Sequence, residues 1–261
     1  MGITISTLQK KKQSGEKITM LTAYDYPTAK LVDKAGIDVV LVGDSLGNVI
    51  LGYKDTLPVT VEDMLHHTKA VAKGVENALV VADMPFMSYQ VSLEDTIKNA
   101  GKLVKEGKAQ AIKLEGTAPK TIEAIKEIGI PVMGHIGFTP QSVNELGGYK
   151  IQGKDKEAAD KLIEQAKKLE TAGVFAIVLE MVPAKLAKEI TKELNIPTIG
   201  IGAGPDCDGQ VLVLNDLLGL TEKPPKFVKK YADLNKSISA ALTSFKTEVE
   251  KGTYPSSKHS F

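Results

Sequence analysis

The stretch DVVLVGDSLG, Asp38 to Gly47, decides how the chain is read. Val39, Val40, Leu41 and Val42 form an apolar run with no polar interruption, closed by Gly43. That pattern fits a strand buried on both faces, as in a parallel sheet. Strands of this kind carry function at their carboxyl ends, so Asp44 and Ser45 are expected at the mouth of a site. Four further runs end in the same way: LVVAD (Leu79 to Asp83), AIKLE (Ala111 to Glu115), VMGH (Val132 to His135) and AIVLE (Ala176 to Glu180). Polar groups repeated at strand ends predict one site built from several strands.

Working outward, a short helix over 3–12 precedes a first strand over 17–22. Further strands are expected over 39–43, 79–82, 111–114, 131–134, 175–179, 197–200 and 210–214. Helices are expected over 26–35, 61–73, 93–106, 119–128, 155–172, 183–194 and 227–249. Gly36, Gly74, Gly129 and Gly173 stand where helix C-caps belong, and Thr60 and Ser92 where N-caps do. Residues 136–153 are glycine-rich and lack helical period, and they read as a lid over the mouth. Eight strands alternating with helices predict an α/β fold, a (β/α)8 TIM barrel with a short N-terminal helix, as one domain over residues 1–261. The competing architecture is an open doubly wound sheet. Polar residues close strands throughout the series rather than at one switch point, which favours the barrel.

Composition narrows the partners. The 261 residues carry a net charge of +1, and all 33 basic residues are lysines. Nothing here has the basic footprint of a nucleic-acid or membrane-surface binder, so a small-molecule substrate is expected. Without arginine there is no bidentate guanidinium clamp, and anions must be held by lysine, hydroxyls or backbone N–H groups. Cys207 is the only cysteine, which excludes an intrachain disulfide. No apolar run approaches the roughly 20 residues that span a bilayer, and none at the N-terminus has signal-peptide length, so a cytoplasmic location is the expectation.

Asp44, Asp83 and Glu115 close strands two, three and four. On neighbouring barrel strands their carboxylates crowd together, and such a cluster needs a cation or must take up protons. Oxygen ligands without an adjacent His or Cys select a hard ion, with Mg2+ first and Mn2+ or Co2+ as substitutes. The plainer alternative is that each acid caps the next helix or turn. Lys113 and Glu115, two apart on one strand, share a face. A lysine inside an apolar run needs a partner, in an internal salt bridge or in catalysis. His135 is read at the end of strand five, as a hydrogen-bonded structural group or a ligand. Glu180 stands across the mouth from strand two with nothing near it in sequence to neutralise it, an isolation that suits a general base. Gly200 to Gly204 reads as tight packing rather than a phosphate cradle, and His66-His67 as surface.

Taken together, KITMLTAYDYPTA (Lys17 to Ala29), VLVGDSLGNVILGY (Val40 to Tyr53), DMPF (Asp83 to Phe86), IKLEG (Ile112 to Gly116), GHIGFTPQS (Gly134 to Ser142), the Leu179-Glu180 pair and GIGAGPDCDGQ (Gly200 to Gln210) resemble the ketopantoate hydroxymethyltransferases over essentially the whole chain. The resemblance implies a barrel of the phosphoenolpyruvate/pyruvate type. It implies transfer of a hydroxymethyl group from 5,10-methylenetetrahydrofolate to 3-methyl-2-oxobutanoate through a Mg2+-stabilised enolate, on the route to pantothenate and coenzyme A. Carried over residue by residue, Asp44 and Asp83 would hold Mg2+, with Glu115 supporting it directly or through water. Asp44, Ser45, Asp83 and Lys113 would bind the oxo acid, Glu180 would be the base, and His135 would lie on the folate side or behind the ligands. A large homo-oligomer, a homodecamer, is also implied. The competing functions are a metal-dependent C–C lyase or aldolase of the same barrel superfamily and a non-catalytic barrel scaffold. A lyase with a catalytic cysteine on a mobile loop is disfavoured by the position of Cys207, between strands seven and eight.

Overall fold

The structure is a computed structural model and describes residues 2–261. These fall into two compact units divided between Val213 and Leu214.

The first unit opens with α1 (Ile5–Ser14), followed by β1 (Ile18–Thr22), α2 (Tyr26–Lys34), β2 (Val39–Val42) and a one-turn α3 (Leu46–Val49). Next come α4 (Val61–Gly74), β3 (Leu79–Asp83), α5 (Leu93–Lys105), β4 (Ala111–Glu115), α6 (Pro119–Glu127) and β5 (Val132–Gly137). The unit ends with α7 (Lys156–Ala172), β6 (Ala176–Glu180), α8 (Ala184–Glu193), β7 (Thr198–Ile201) and β8 (Gly209–Leu212). All neighbouring strands pair in parallel, and β8 pairs with β1, so the sheet is a closed barrel in sequence order. The expected eight-stranded barrel is therefore observed.

Alternation along each strand explains what fills it. Ile18 and Met20, Val39 and Leu41, Leu79 and Val81, Ala111, Met133, Ala176 and Val178, Ile199 and Val211 form one buried apolar cluster, and Leu8 of α1 packs within it. The short N-terminal helix thus contributes to the barrel core. Moving two residues further along β3, β4, β5 and β6 in the same parity replaces these apolar groups by Asp83, Lys113 and Glu115, His135 and Glu180. The strand register that builds the apolar layer also aims a polar layer at the carboxyl end. In-register partners include Asp83 with Lys113, and Glu115 with His135.

Helix ends follow their side-chain chemistry. Thr60 and Asp63 form a reciprocal capping box on α4, and Asp155 caps α7 through the Ala158 N–H. Two expectations need correction. His135 does not end its strand, because β5 continues to Gly137. Residues 138–153 contain a single 3-10 turn, Pro140–Ser142, which buries Gln141 instead of forming only an open loop.

The second unit holds a one-turn α9 (Leu214–Leu217) and α10 (Leu234–Glu250), capped by Asp233. The last helix begins at Leu234 rather than at 227. None of its residues is buried, and Ile238, Leu242, Phe245 and Val249 are exposed at helical spacing.

Candidate active site

The polar layer converges at the carboxyl end of β2 to β6. Lys113 is only 4% exposed, and its Nζ lies 2.9 Å from Asp83 Oδ1, the ion pair that a lysine inside an apolar strand requires. Asp83 Oδ2 accepts a hydrogen bond from the Asp44 backbone N–H at 3.0 Å, which draws the ends of β2 and β3 together. Gly43 leaves room for the Ser45 hydroxyl, because a Cβ there would lie 2.8 Å from Ser45 Oγ, while its 3.5 Å to Asp83 Oδ2 would be an ordinary contact. Ser45 Oγ is 2.8 Å from the hydroxyl of Tyr24, a buried residue just past β1. The Tyr24 carbonyl is in turn 2.6 Å from His67 Nδ1. Of the two histidines read as surface, only His66 is exposed; His67 is half-buried and faces the loop after β1.

His135 links the two sides of the mouth. Its Nδ1 is 3.2 Å from Lys113 Nζ, and its Nε2 is 3.2 Å from Glu180 Oε2, out of line for a hydrogen bond. Burial and the neighbouring Lys113 hold the imidazole well below its ordinary pKa, so it is neutral. An ammonium can only donate, which makes Nδ1 the acceptor and places the ring proton on Nε2, toward Glu180. Glu180 is therefore not isolated as the sequence implied: β5 and β6 are paired, and their register brings the imidazole to its carboxylate.

The charges are unbalanced. Burial, then Asp83, pushes Asp44 up to about 7, and burial pushes Glu180 up to about 8 despite Lys113. Glu115 is raised well above the carboxylate range by burial and by Asp44. Burial alone would lower Lys113, but Asp83, Glu115 and Asp44 together raise it and keep it charged. One ammonium thus faces four buried or half-buried carboxyl groups, three of them raised so far that they hold protons near neutral pH unless a cation joins them.

Two residues that the sequence gave no reason to single out complete the cluster. The Gln141 side chain donates to Asp44 Oδ2 at 2.8 Å and its backbone N–H donates to Glu115 Oε2 at 2.9 Å. The Tyr89 hydroxyl is 2.7 Å from Gln141 Oε1. Beside them a cavity of about 450 Å3 is lined by Phe86, Tyr89, Gln90, Glu115, Thr117 and Gln141, among others.

Among the described residues, no three His, Cys, Asp or Glu side chains converge as a ready-made metal cage. The donor set does fit a hard divalent ion that keeps water and substrate as ligands, as Mg2+ does with one or two carboxylates. Asp44 and Asp83 are adjacent oxygen donors, Glu115 Oε1 is buried without a hydrogen-bond partner, and the surplus of carboxylate calls for a cation.

Cys207 plays no part in this cluster. It is fully buried and its thiol is pushed up by burial, opposite to what a nucleophile needs.

Comparison with known proteins identifies the family. The family model described as ketopantoate hydroxymethyltransferase matches residues 2–257. A 3-methyl-2-oxobutanoate hydroxymethyltransferase from Clostridium novyi (strain NT) is 61% identical, over 99% of this chain and 95% of that protein. One from Enterococcus faecalis (strain ATCC 700802 / V583) is 59% identical with the same coverage. Among solved structures, a phosphonopyruvate hydrolase in complex with oxalate and Mg2+ superposes with a TM-score of 0.62 at 14% identity, covering 98% of this chain and 92% of that chain. A 2,3-dimethylmalate lyase of the PEP mutase/isocitrate lyase superfamily gives 0.61 at 15% identity, covering 100% and 93%. The distant structures share the fold, while these two relatives, which match nearly end to end, carry one name, and the chain belongs to the ketopantoate hydroxymethyltransferase family.

Proposed function

We propose that the protein transfers a hydroxymethyl group from 5,10-methylenetetrahydrofolate to C3 of 3-methyl-2-oxobutanoate, giving 2-dehydropantoate (ketopantoate) on the route to pantothenate and coenzyme A. The observation that carries this reading is the pairing of a buried, charged Lys113 with a basic Glu180 on opposite sides of one imidazole. Enolisation of a 2-oxo acid needs that combination: a base at C3 and positive charge where the oxygen becomes negative.

Asp44 and Asp83 would hold Mg2+, with Glu115 supporting it directly or through water, and the ion when bound would act as a Lewis acid toward the oxo acid. Lys113 and Ser45 bind and orient the oxo acid. Glu180 takes the C3 proton, and its raised pKa makes it a stronger base than an ordinary glutamate. Lys113 stays protonated and offsets the charge that develops on the oxygen. His135 keeps both groups in register. Burial of Lys113 and His135 limits water at the reacting carbon and strengthens these charge interactions. Overall, the C3–H bond breaks and a C3–CH2 bond forms. Water supplies the new hydroxyl, and tetrahydrofolate leaves. The adjoining cavity is the space this reading would assign to the folate.

The test is formation of ketopantoate from the two substrates, with and without EDTA. Turnover that requires a divalent ion supports the reading. Absence of product, with metal and folate both saturating, overturns it.

A further inference from the structure

Gln141 has every side-chain polar atom committed. Its two amide protons go to Asp44 Oδ2 at 2.8 Å and to the Met84 carbonyl at 3.0 Å. Its Oε1 accepts from the Tyr89 hydroxyl at 2.7 Å, and that hydroxyl accepts in turn from the Glu115 backbone N–H at 3.2 Å. Its own backbone N–H donates to Glu115 Oε2 at 2.9 Å. Gln141 and Tyr89 are both buried, so these bonds are made away from competing water. One residue from the turn after β5 therefore grips one oxygen of Asp44 and one oxygen of Glu115. The other oxygen of Glu115, Oε1, is buried with no hydrogen-bond partner.

We propose that Gln141 is the positioning residue of the carboxylate site, holding one oxygen each of Asp44 and Glu115 so that the other oxygen of each is presented to the cation and its water. The inference rests on the reading of Asp44, Asp83 and Glu115 as the cation site. A carboxylate gripped at one oxygen cannot rotate about its last side-chain bond, which favours monodentate presentation to a small hard ion over a collapsed pair. Glutamine suits the task where glutamate does not: a third carboxylate would repel both partners, and it could not donate to Asp44. The Met84 carbonyl settles the amide orientation, since it can only accept and so takes an Nε2 proton, which leaves Oε1 toward the Tyr89 hydroxyl.

The test uses the full chain stripped of metal with EDTA, with Mn2+ binding followed by electron paramagnetic resonance in the parent, Gln141→Leu and Tyr89→Phe. Gln141→Leu keeps the approximate volume and removes the side-chain donor to Asp44 while leaving the backbone N–H on Glu115, so its Mn2+ dissociation constant should rise about tenfold or more, in the range seen when outer hydrogen bonds to metal ligands are removed. Tyr89→Phe removes only the hydroxyl and should weaken Mn2+ binding about threefold, the effect of one lost hydrogen bond. Thermal unfolding of each variant separates this from packing, because a purely structural role lowers the midpoint without moving the affinity of the folded protein. Tyr89→Phe decides the matter if Gln141→Leu does not fold. Parent-like Mn2+ affinity in the folded variants overturns the positioning role and leaves the cation site standing. A parent chain that binds no Mn2+ overturns the cation site, and the inference with it.

Discussion

Whether Glu180 can act as a base depends on its proton. A protonated carboxyl cannot accept the C3 proton, and burial places this group at about 8 before any cation is bound. Exchange of the C3 proton of 3-methyl-2-oxobutanoate for deuterium, followed by proton NMR in D2O without folate, should therefore fall as pH drops through the Glu180 pKa and rise above it. Glu180→Gln keeps the size but removes the basic oxygen, and exchange should drop by about 10² to 10⁴ and lose that pH profile. Exchange at the parent rate would mean that another group is the base, with His135 the next residue to test. Glu180, Lys113, Asp83 and Glu115 were legible in the sequence because strand alternation announces which side chains share a face. Gln141, Tyr89 and Tyr24 were not, since loop residues have no period to read. The bond from Gln141 to Asp44 joins positions 97 apart, and a glycine-rich stretch gives no sign that one of its residues turns inward. The apparent isolation of Glu180 failed for the same reason, because strand pairing rather than proximity in sequence supplies its neighbour.

At the scale of elements, two junctions can be tested. Gly137 ends β5 with φ of +96°, and a Cβ there would collide with the Glu180 carbonyl oxygen and approach Val182. Gly137→Ala should destabilise the chain by about 1–3 kcal/mol through overpacking and an unfavourable backbone angle, and should displace Glu180. A lower thermal midpoint together with slower C3 exchange is the expected pair of results. Asp33, near the end of α2, accepts hydrogen bonds from the backbone N–H groups of Glu76, Asn77 and Ala78, fastening that helix to the turn before β3. Burial opposes its charge, but these donors hold its carboxyl below the ordinary value. Its stabilisation is fully present above the unfolded pKa near 3.9 and is lost as pH falls through the lower folded value. Asp33→Asn should therefore be clearly less stable than the parent at neutral pH, with the gap closing in acid denaturation. Strands and most caps were readable because each rests on a local signal, but Gly74 lies inside α4, with Val75 as the cap, and a Cβ there would lie 2.6 Å from the Tyr26 carbonyl oxygen. The start of α10 was not: apolar residues at 227 and 231 extend its spacing backward, yet Asp233 caps the helix at Leu234.

For the molecule as a whole, the site residues come from β2 to β6 and the loops that follow them, with Tyr24 from the loop after β1 behind Ser45. No helix among the described residues is long and apolar enough to cross a membrane. Ile238, Leu242, Phe245 and Val249 leave an apolar stripe exposed along α10. Such a stripe usually meets a partner surface. For the homo-oligomer that the resemblance implies, Leu242→Asp combined with Phe245→Asp should lower the mass found by sedimentation velocity, and an unchanged mass would separate that stripe from assembly. Cys207 has a practical consequence of a different kind. It is the chain's one thiol, 0% exposed, in a protein without tryptophan. A cysteine or tryptophan introduced at an exposed position of the 138–153 segment, such as Tyr149, would be the only accessible thiol or the only indole. The protein is thus ready for site-specific optical labelling of that segment, with no competing groups to remove first.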